Sequence, residues 1–204
     1  MRKLPFAMAA LIVIAFCSLV LAQTNLVGPP LDLEFGMTYA ELKSTLKERD
    51  INVDKPKEKK EWKLPDGFKV SEVGKYKVLD RKTDDNFAVF NADGELCAFI
   101  IRFRWSGSNA FKDEEKFWTQ DLQKAVVGKY SGEGFKQHQD PDMDGMVPEV
   151  AFRDEVGNEI AVYREKGTPS SILGSIPVAV TTLTYYNEEI LRETRKQQKE
   201  TDDL

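Results

Sequence analysis

Apolar and polar positions divide the chain into stretches with different periods. From Leu4 to Leu21 it is almost unbroken apolar, preceded by Met1-Arg2-Lys3 and followed by Ala22 and the polar Gln23-Thr24-Asn25. A basic start, an apolar core and a small residue before polar ones predict a secretory leader cleaved after Ala22. Its apolar run of about eighteen residues also reaches the lower limit for spanning a bilayer, so an uncleaved N-terminal anchor is the alternative. Cys17 follows the bulky Phe16 and the apolar run continues beyond it, which argues against lipid attachment there.

After an extended lead, Leu31-Asp32-Leu33-Glu34-Phe35 alternates with the period of a strand, and Gly36 interrupts it. Thr38 and Glu41 then form the sequence of a capping box, with Met37 and Leu42 as its hydrophobic staple. Tyr39, Leu42 and Leu46 share one helical face, so a helix is expected to run to Lys47 or Arg49. The charged stretch from Asp54 to Lys63 holds Trp62 and reads as a solvated connection whose tryptophan packs back on the domain, or as a partner-binding loop. Tyr76–Leu79 is a candidate strand. Phe87–Phe90 and Leu96–Phe103 read as a hairpin about Asp93-Gly94. Arg102 and Arg104 alternate with Phe103 and Trp105, as in an edge emerging into solvent.

A second helix is predicted over Phe111–Val127, with Phe111, Trp118, Leu122 and Ala125 inward and Val126 at the rim. Lys129 to Pro148, rich in Gly, Asp and Pro, reads as a long loop. Strands resume at Glu149–Phe152 and Glu159–Tyr163. The last, from Val178 to Tyr186, places Ala179, Thr181, Leu183 and Tyr185 on one face. The tail from Asn187 is charged and reads as a short exposed helix or as disorder.

Each half thus offers a helix, then strands, with a turn-centred hairpin: Val89–Leu96 in one, Phe152–Ile160 in the other. The expected fold is α+β, with helices packed on one face of antiparallel sheet and a possible tandem duplication of a helix-plus-three-strand unit. The implied divisions are a signal peptide over 1–22, a first repeat over 23–106, a second over 107–186 and a charged tail over 187–204.

Charge and cysteine content narrow the environment. The chain carries 29 Lys and Arg against 34 Asp and Glu, a net −5, and two of the cations lie in the leader. No positive face is visible, so nucleic acid is not an expected partner. Of two cysteines, only Cys97 remains once the leader is removed. An intramolecular disulfide is then impossible, and the apolar run around Cys97 predicts burial as a small hydrophobe.

The segment Phe35-Gly36-Met37-Thr38-Tyr39-Ala40-Glu41-Leu42, with the later hairpin Phe90-Asn91-Ala92-Asp93-Gly94-Glu95-Leu96, resembles a motif of small bacterial envelope modules. In these a strand leads through Gly-Met-Thr/Ser into a helix. The group includes the small lipoprotein of the outer-membrane assembly machine, and the tandem-repeat β-lactamase inhibitor protein is similar in architecture. The resemblance covers roughly residues 33 to 103 and implies an exported module that binds proteins and does not catalyse. Two departures stand out: the lipidation cysteine is absent, and the usual short link after the helix is replaced by Ile51–Val73.

Candidate chemistry is sparse. Asp140, Asp142 and Asp144 precede Gly145 at alternate positions, as at the start of a calcium loop, but Ala151 stands where the closing glutamate belongs. His138 is the sole histidine, with no second one for a zinc triad. Gly128, Gly132 and Gly134 follow a helix where a phosphate loop would precede one, so Gly128 or Gly132 reads as a helix end. Trp62, Trp105 and Tyr185 are the candidate partner-binding aromatics. The resulting expectation is a non-enzymatic protein-binding module, periplasmic or secreted, acting through the open sheet face or these aromatics. The alternatives are a small-ligand or calcium-binding envelope protein using the Asp140–Asp144 loop, and a small hydrolase with a carboxylate site.

Overall fold

A computed structural model describes residues 27–62, 64–141, 146–168, 170–171 and 174–193. The expected leader, most of the tail, and Asp142 and Asp144 lie outside the described residues. No helix among the described residues is long and apolar enough to cross a membrane.

The first helix, α1 (Tyr39–Lys47), starts where local chemistry places it. Thr38 Oγ1 accepts from the Glu41 N–H, and the Glu41 carboxylate accepts from the Thr38 N–H at 2.8 Å. These bonds satisfy two of the donors a helix start leaves open and hold the Glu41 carboxyl below its usual range. Leu42 and Leu46 are fully buried on its inner face. The second helix has three parts: α2 (Ala110–Phe117), a π-helical turn Trp118–Leu122, and α3 (Gln123–Tyr130).

The π turn corrects the predicted face. The buried positions are Ala110, Glu114, Phe117, Trp118, Leu122, Val126 and Tyr130, whereas Ala125 is exposed and Phe111 is 37 % exposed. From Trp118 on, the buried residues recur every fourth position. A straight α-helix would rotate such a row off the sheet, and the wider π turn holds it there. Gly128 lies inside α3, and the helix ends at Tyr130.

The strands are β1 (Lys69–Val73), β2 (Lys77–Val78), β3 (Arg81–Lys82), β4 (Asp85–Phe90), β5 (Leu96–Ser106), β6 (Phe135–His138), β7 (Val150–Asp154), β8 (Glu159–Gly167), β9 (Ser170–Ser171), β10 (Gly174–Ser175) and β11 (Val178–Tyr186). Seven form one antiparallel sheet in the order β1-β4-β5-β11-β8-β7-β6, while β2 with β3 and β9 with β10 make two small hairpins. The architecture is α+β. The central pair is β5 with β11, in register at Arg102 opposite Thr182. A meander runs outward from each: β5, β4 and β1 on one side, β11, β8, β7 and β6 on the other. The 91–95 hairpin joins β4 to β5 beside the centre, whereas 154–158 joins β7 to β8, one hairpin further out.

Three predicted features change. The loop expected over Lys129–Pro148 contains β6, a four-residue strand whose one apolar residue, Phe135, is followed by three polar ones, so it carries no periodic signal. The connection after α1 lies along β1: Val53 and Lys57 bridge Val73 and Val70, and Lys57 and Val70 exchange backbone hydrogen bonds of 3.1 and 2.8 Å. Finally, β5 is central, not an edge. Only beyond Arg102 does it lose β4, and there side chains replace a strand. Arg104 N–H donates to Asp84 Oδ2 at 2.6 Å, and Arg81 Nη2 donates to the Arg104 carbonyl at 3.0 Å.

Both helices pack on one face of the sheet, where Leu42, Leu46, Phe117, Leu122 and Tyr130 meet Phe99, Ile101, Phe103, Phe152 and Leu183. The opposite face is covered piecemeal. Trp62 and Leu64 pack on Phe87 and Ile100 over one half, and Met146 packs on Ala151, Ala161 and Tyr163 over the other. A helical turn over 188–193 buries Ile190 and Leu191 against Cys97, Ala98 and Tyr186. The tail therefore begins as a docked segment, because its two aliphatics find an apolar surface. Cys97 is a free, buried thiol whose ionisation burial strongly disfavours.

The chain enters and leaves at the same end of the sheet. Val27 N–H donates to Asp154 Oδ2 at 2.8 Å, and Glu188 N–H donates to Asn158 Oδ1 at 3.3 Å. Gly157, at φ +97°, lies against Glu188 so closely that an added Cβ would sit 2.6 Å from its Cγ. Only glycine satisfies both demands. The β2–β3 hairpin, the start of α2, the end of β8 and the start of β11 lie at the opposite end.

Candidate functional site

The three aromatics predicted to form a binding surface fall on different sides of the sheet. Trp105 and Tyr185 face the helices and are each 7 % exposed. Trp105 packs against Phe103 and Phe117, with the Arg81 guanidinium 4.0 Å from its ring centre. Burial raises the Tyr185 phenol well above its ordinary value. Alternation along β5 and β11 turns both rings inward, and the helices complete their enclosure. They are core residues.

Trp62 remains near solvent. It is half-buried in a single 3₁₀ turn, Lys60–Trp62, on the face opposite the two helices. Its ring meets Phe87 edge-on at 4.7 Å between centroids. Two cations flank the pair: Lys59 Nζ lies 5.7 Å from Trp62 and 5.0 Å from Phe87, and the Arg102 guanidinium 5.7 and 5.4 Å from the same rings. Lys59 also donates to Glu72 Oε1 at 2.7 Å, which holds that carboxyl below its usual range. Next to this turn, Lys59, Lys60, Leu64, Asp66 and Phe68 line an open cleft of about 330 Å³. Arg102, an expected edge residue, thus joins Trp62 across the sheet face, a proximity with no signature in sequence spacing.

Two ionic clusters occupy the other half of the sheet. Under α2, the fully buried Glu114 accepts from Arg164 Nε at 2.6 Å, Arg164 Nη2 at 2.9 Å and Thr181 Oγ1 at 2.9 Å. Glu115 and Lys166 complete the network, with Lys166 Nζ 2.9 Å from Glu115 and 3.3 Å from Glu114. Burial by itself raises the Glu114 carboxyl, but these donors outweigh it and the net direction is down. The acidic run Asp113-Glu114-Glu115 suits a helix start, so the sequence contains no sign that its middle member is buried.

On the face opposite the two helices, His138, Arg153 and Glu159 come from three neighbouring strands. His138 Nε2 lies 3.0 Å from Glu159 Oε2, and Arg153 Nη2 donates to the same oxygen at 2.6 Å. His138 Nδ1 accepts the Asp140 N–H at 3.2 Å. Burial pushes the Glu159 carboxyl up, His138 and Arg153 pull it down, and the pull is stronger. Asp140 also sits 3.6 Å from Arg153, which makes the cluster an ion-pair setting. Among the described residues no group of three or more His, Cys, Asp or Glu side chains is arranged to hold a metal. Asp142 and Asp144, the other expected calcium ligands, lie outside the described residues.

The Trp62 cluster is therefore the arrangement best suited to recognition: a half-buried tryptophan seated on a buried phenylalanine, two cations and an adjoining cleft. No protein-family model, curated protein or solved structure matches this chain.

Proposed function

We propose that the protein is an exported, non-enzymatic module of the bacterial envelope that binds a protein partner through the sheet face around Trp62, opposite the two helices. The carrying observation is the half-buried Trp62, edge-on to the buried Phe87 and flanked by Lys59 and Arg102. Tryptophan and arginine are the residue types most enriched where interfaces concentrate their energy. The cations favour a partner segment with carboxylates close to an apolar side chain. The two helices pack on the opposite face of the sheet, and the leader pattern and the likeness to envelope modules support the compartment.

Crosslinking in intact cells, followed by isolation of wild type, Trp62→Ala and Arg102→Glu proteins, tests the reading. A defined partner retained by wild type and lost from both variants supports it. An identical set of crosslinked proteins from all three overturns it. N-terminal sequencing of the exported protein checks the compartment, with a start at Gln23 as the expected result.

A further inference from the structure

The β2–β3 hairpin breaks three local rules within six residues. Its strands are two residues each, joined by Leu79-Asp80, both in the left-handed region at φ 50° and 63°. Such turns favour Asn-Gly because a Cβ is costly there, most of all on a bulky side chain such as leucine. Lys77 lies directly opposite Lys82, a like-charge pair that weakens pairing. Leu79 is 45 % exposed at the tip. Backbone strain, charge repulsion and an exposed apolar side chain at one spot are features a protein keeps where they serve contact with something else.

The rest of the finger defines that contact. Lys75, Lys77 and Lys82 are exposed, and none of them makes an ion pair with a described residue. Against them stands Asp80 at the turn. Of the two residues here typical of protein interfaces, Tyr76 is buried, and Arg81 faces inward over Trp105 and braces the Arg104 carbonyl. What faces solvent is a leucine among lysines. Lysine is depleted and leucine under-represented at the energetic centres of protein interfaces, whereas apolar tips ringed by lysine suit anionic lipid. Two further exposed apolar side chains, Phe111 at 37 % and Ile176 at 48 %, lie at the same end, where Gly107 N–H donates to the Pro177 carbonyl. This end is opposite the one where the chain enters and leaves.

We infer that the β2–β3 finger docks the protein reversibly on an anionic phospholipid surface, with Leu79 entering the headgroup boundary and Lys75, Lys77 and Lys82 meeting the phosphates. The contact is separate from the Trp62 face and stands without it.

Co-sedimentation with phosphatidylglycerol–phosphatidylethanolamine vesicles, against neutral phosphatidylcholine vesicles, tests the inference on the protein recovered after export. All variants share the same N-terminus, so any contribution from the leader cancels. Binding is expected on the anionic vesicles only and is expected to weaken as salt rises to about 0.5 M. Lys77→Glu with Lys82→Glu is expected to weaken it roughly 25-fold or more, taking about fivefold per lysine. Leu79→Gly is expected to weaken it about tenfold while raising the melting temperature, because glycine accepts the left-handed turn. A purely structural leucine would show no binding loss. Equal binding to neutral vesicles, full binding by the double charge reversal, or no vesicle binding at all, as an acidic protein occupant would give, overturns the inference.

Discussion

The two halves of the sheet are held by different physics. In the half built on β1, β4 and β5, the first helix contributes buried leucines, and the opposite face is closed by Trp62, Leu64, Ile190 and Leu191 over Phe87, Val89 and Ile100. In the half built on β6, β7 and β8, α2 is fastened to β8 and β11 through Glu114, Arg164 and Thr181. There the opposite face combines small side chains with the His138–Glu159–Arg153 cluster. Apolar burial is non-directional and scales with area, so the first half tolerates approximate geometry. A buried ion pair is sensitive to removal of either member, because the survivor is left charged and unsolvated. One half is thus expected to respond to side-chain volume and the other to protonation.

The sharpest separation is Glu114→Ala, which leaves Arg164, 8 % exposed, only the more exposed Glu115 and Glu149 carboxylates, and is expected to destabilise by up to about 4 kcal/mol in urea unfolding. A loss below about 1 kcal/mol would show that the network is not what fastens α2. Leu46→Ala, in the apolar half, is expected to cost about 3 kcal/mol. That loss should be the same at pH 7 and pH 4, since no titrating group touches its mechanism.

Acid distinguishes the halves further. The folded Glu114 and Glu159 carboxyls lie below the ordinary value of 4.5. Their stabilisation is therefore complete above about pH 4.5 and is lost as pH falls through the folded values. Stability should decline on acidification below that point, and Glu114→Gln should flatten the decline. A pH profile unchanged by that substitution would remove Glu114 from the account. The smallest effect is expected from Thr38→Ala, which loses a cap worth about 1 kcal/mol and is read by thermal melting. Its helix is secured chiefly by Leu42 and Leu46, so folding should survive.

How well each part could be read follows the same division. The capping box at Thr38 and Glu41, the hairpin at Asp93-Gly94 and the alternation of β11 all come from neighbouring residues, and all appear in the structure where they were expected. The burial of Cys97 was legible in the apolar run around it. The inward row of the second helix was not, because a π turn shifts it from Ala125 to Val126. The aromatics went astray for a related reason. Trp105 and Tyr185 look surface-like beside charged or terminal residues, but the face of a strand that becomes core depends on where the helices settle. The partnership of Trp62 with Arg102 spans forty positions, and no local pattern announces it.

By itself the sequence determined the kinds of element, several of their ends and the apolar setting of Cys97. These depend on interactions within a turn or two of chain, where geometry follows from residue type. Only the tertiary structure decided that β5 and β11 meet at the centre, that β6 and the 53–57 segment lie outermost, and which carboxylates are buried. Such choices rest on contacts between residues far apart in the chain. Their free energies come from shared burial and paired charge, which residue order does not encode position by position.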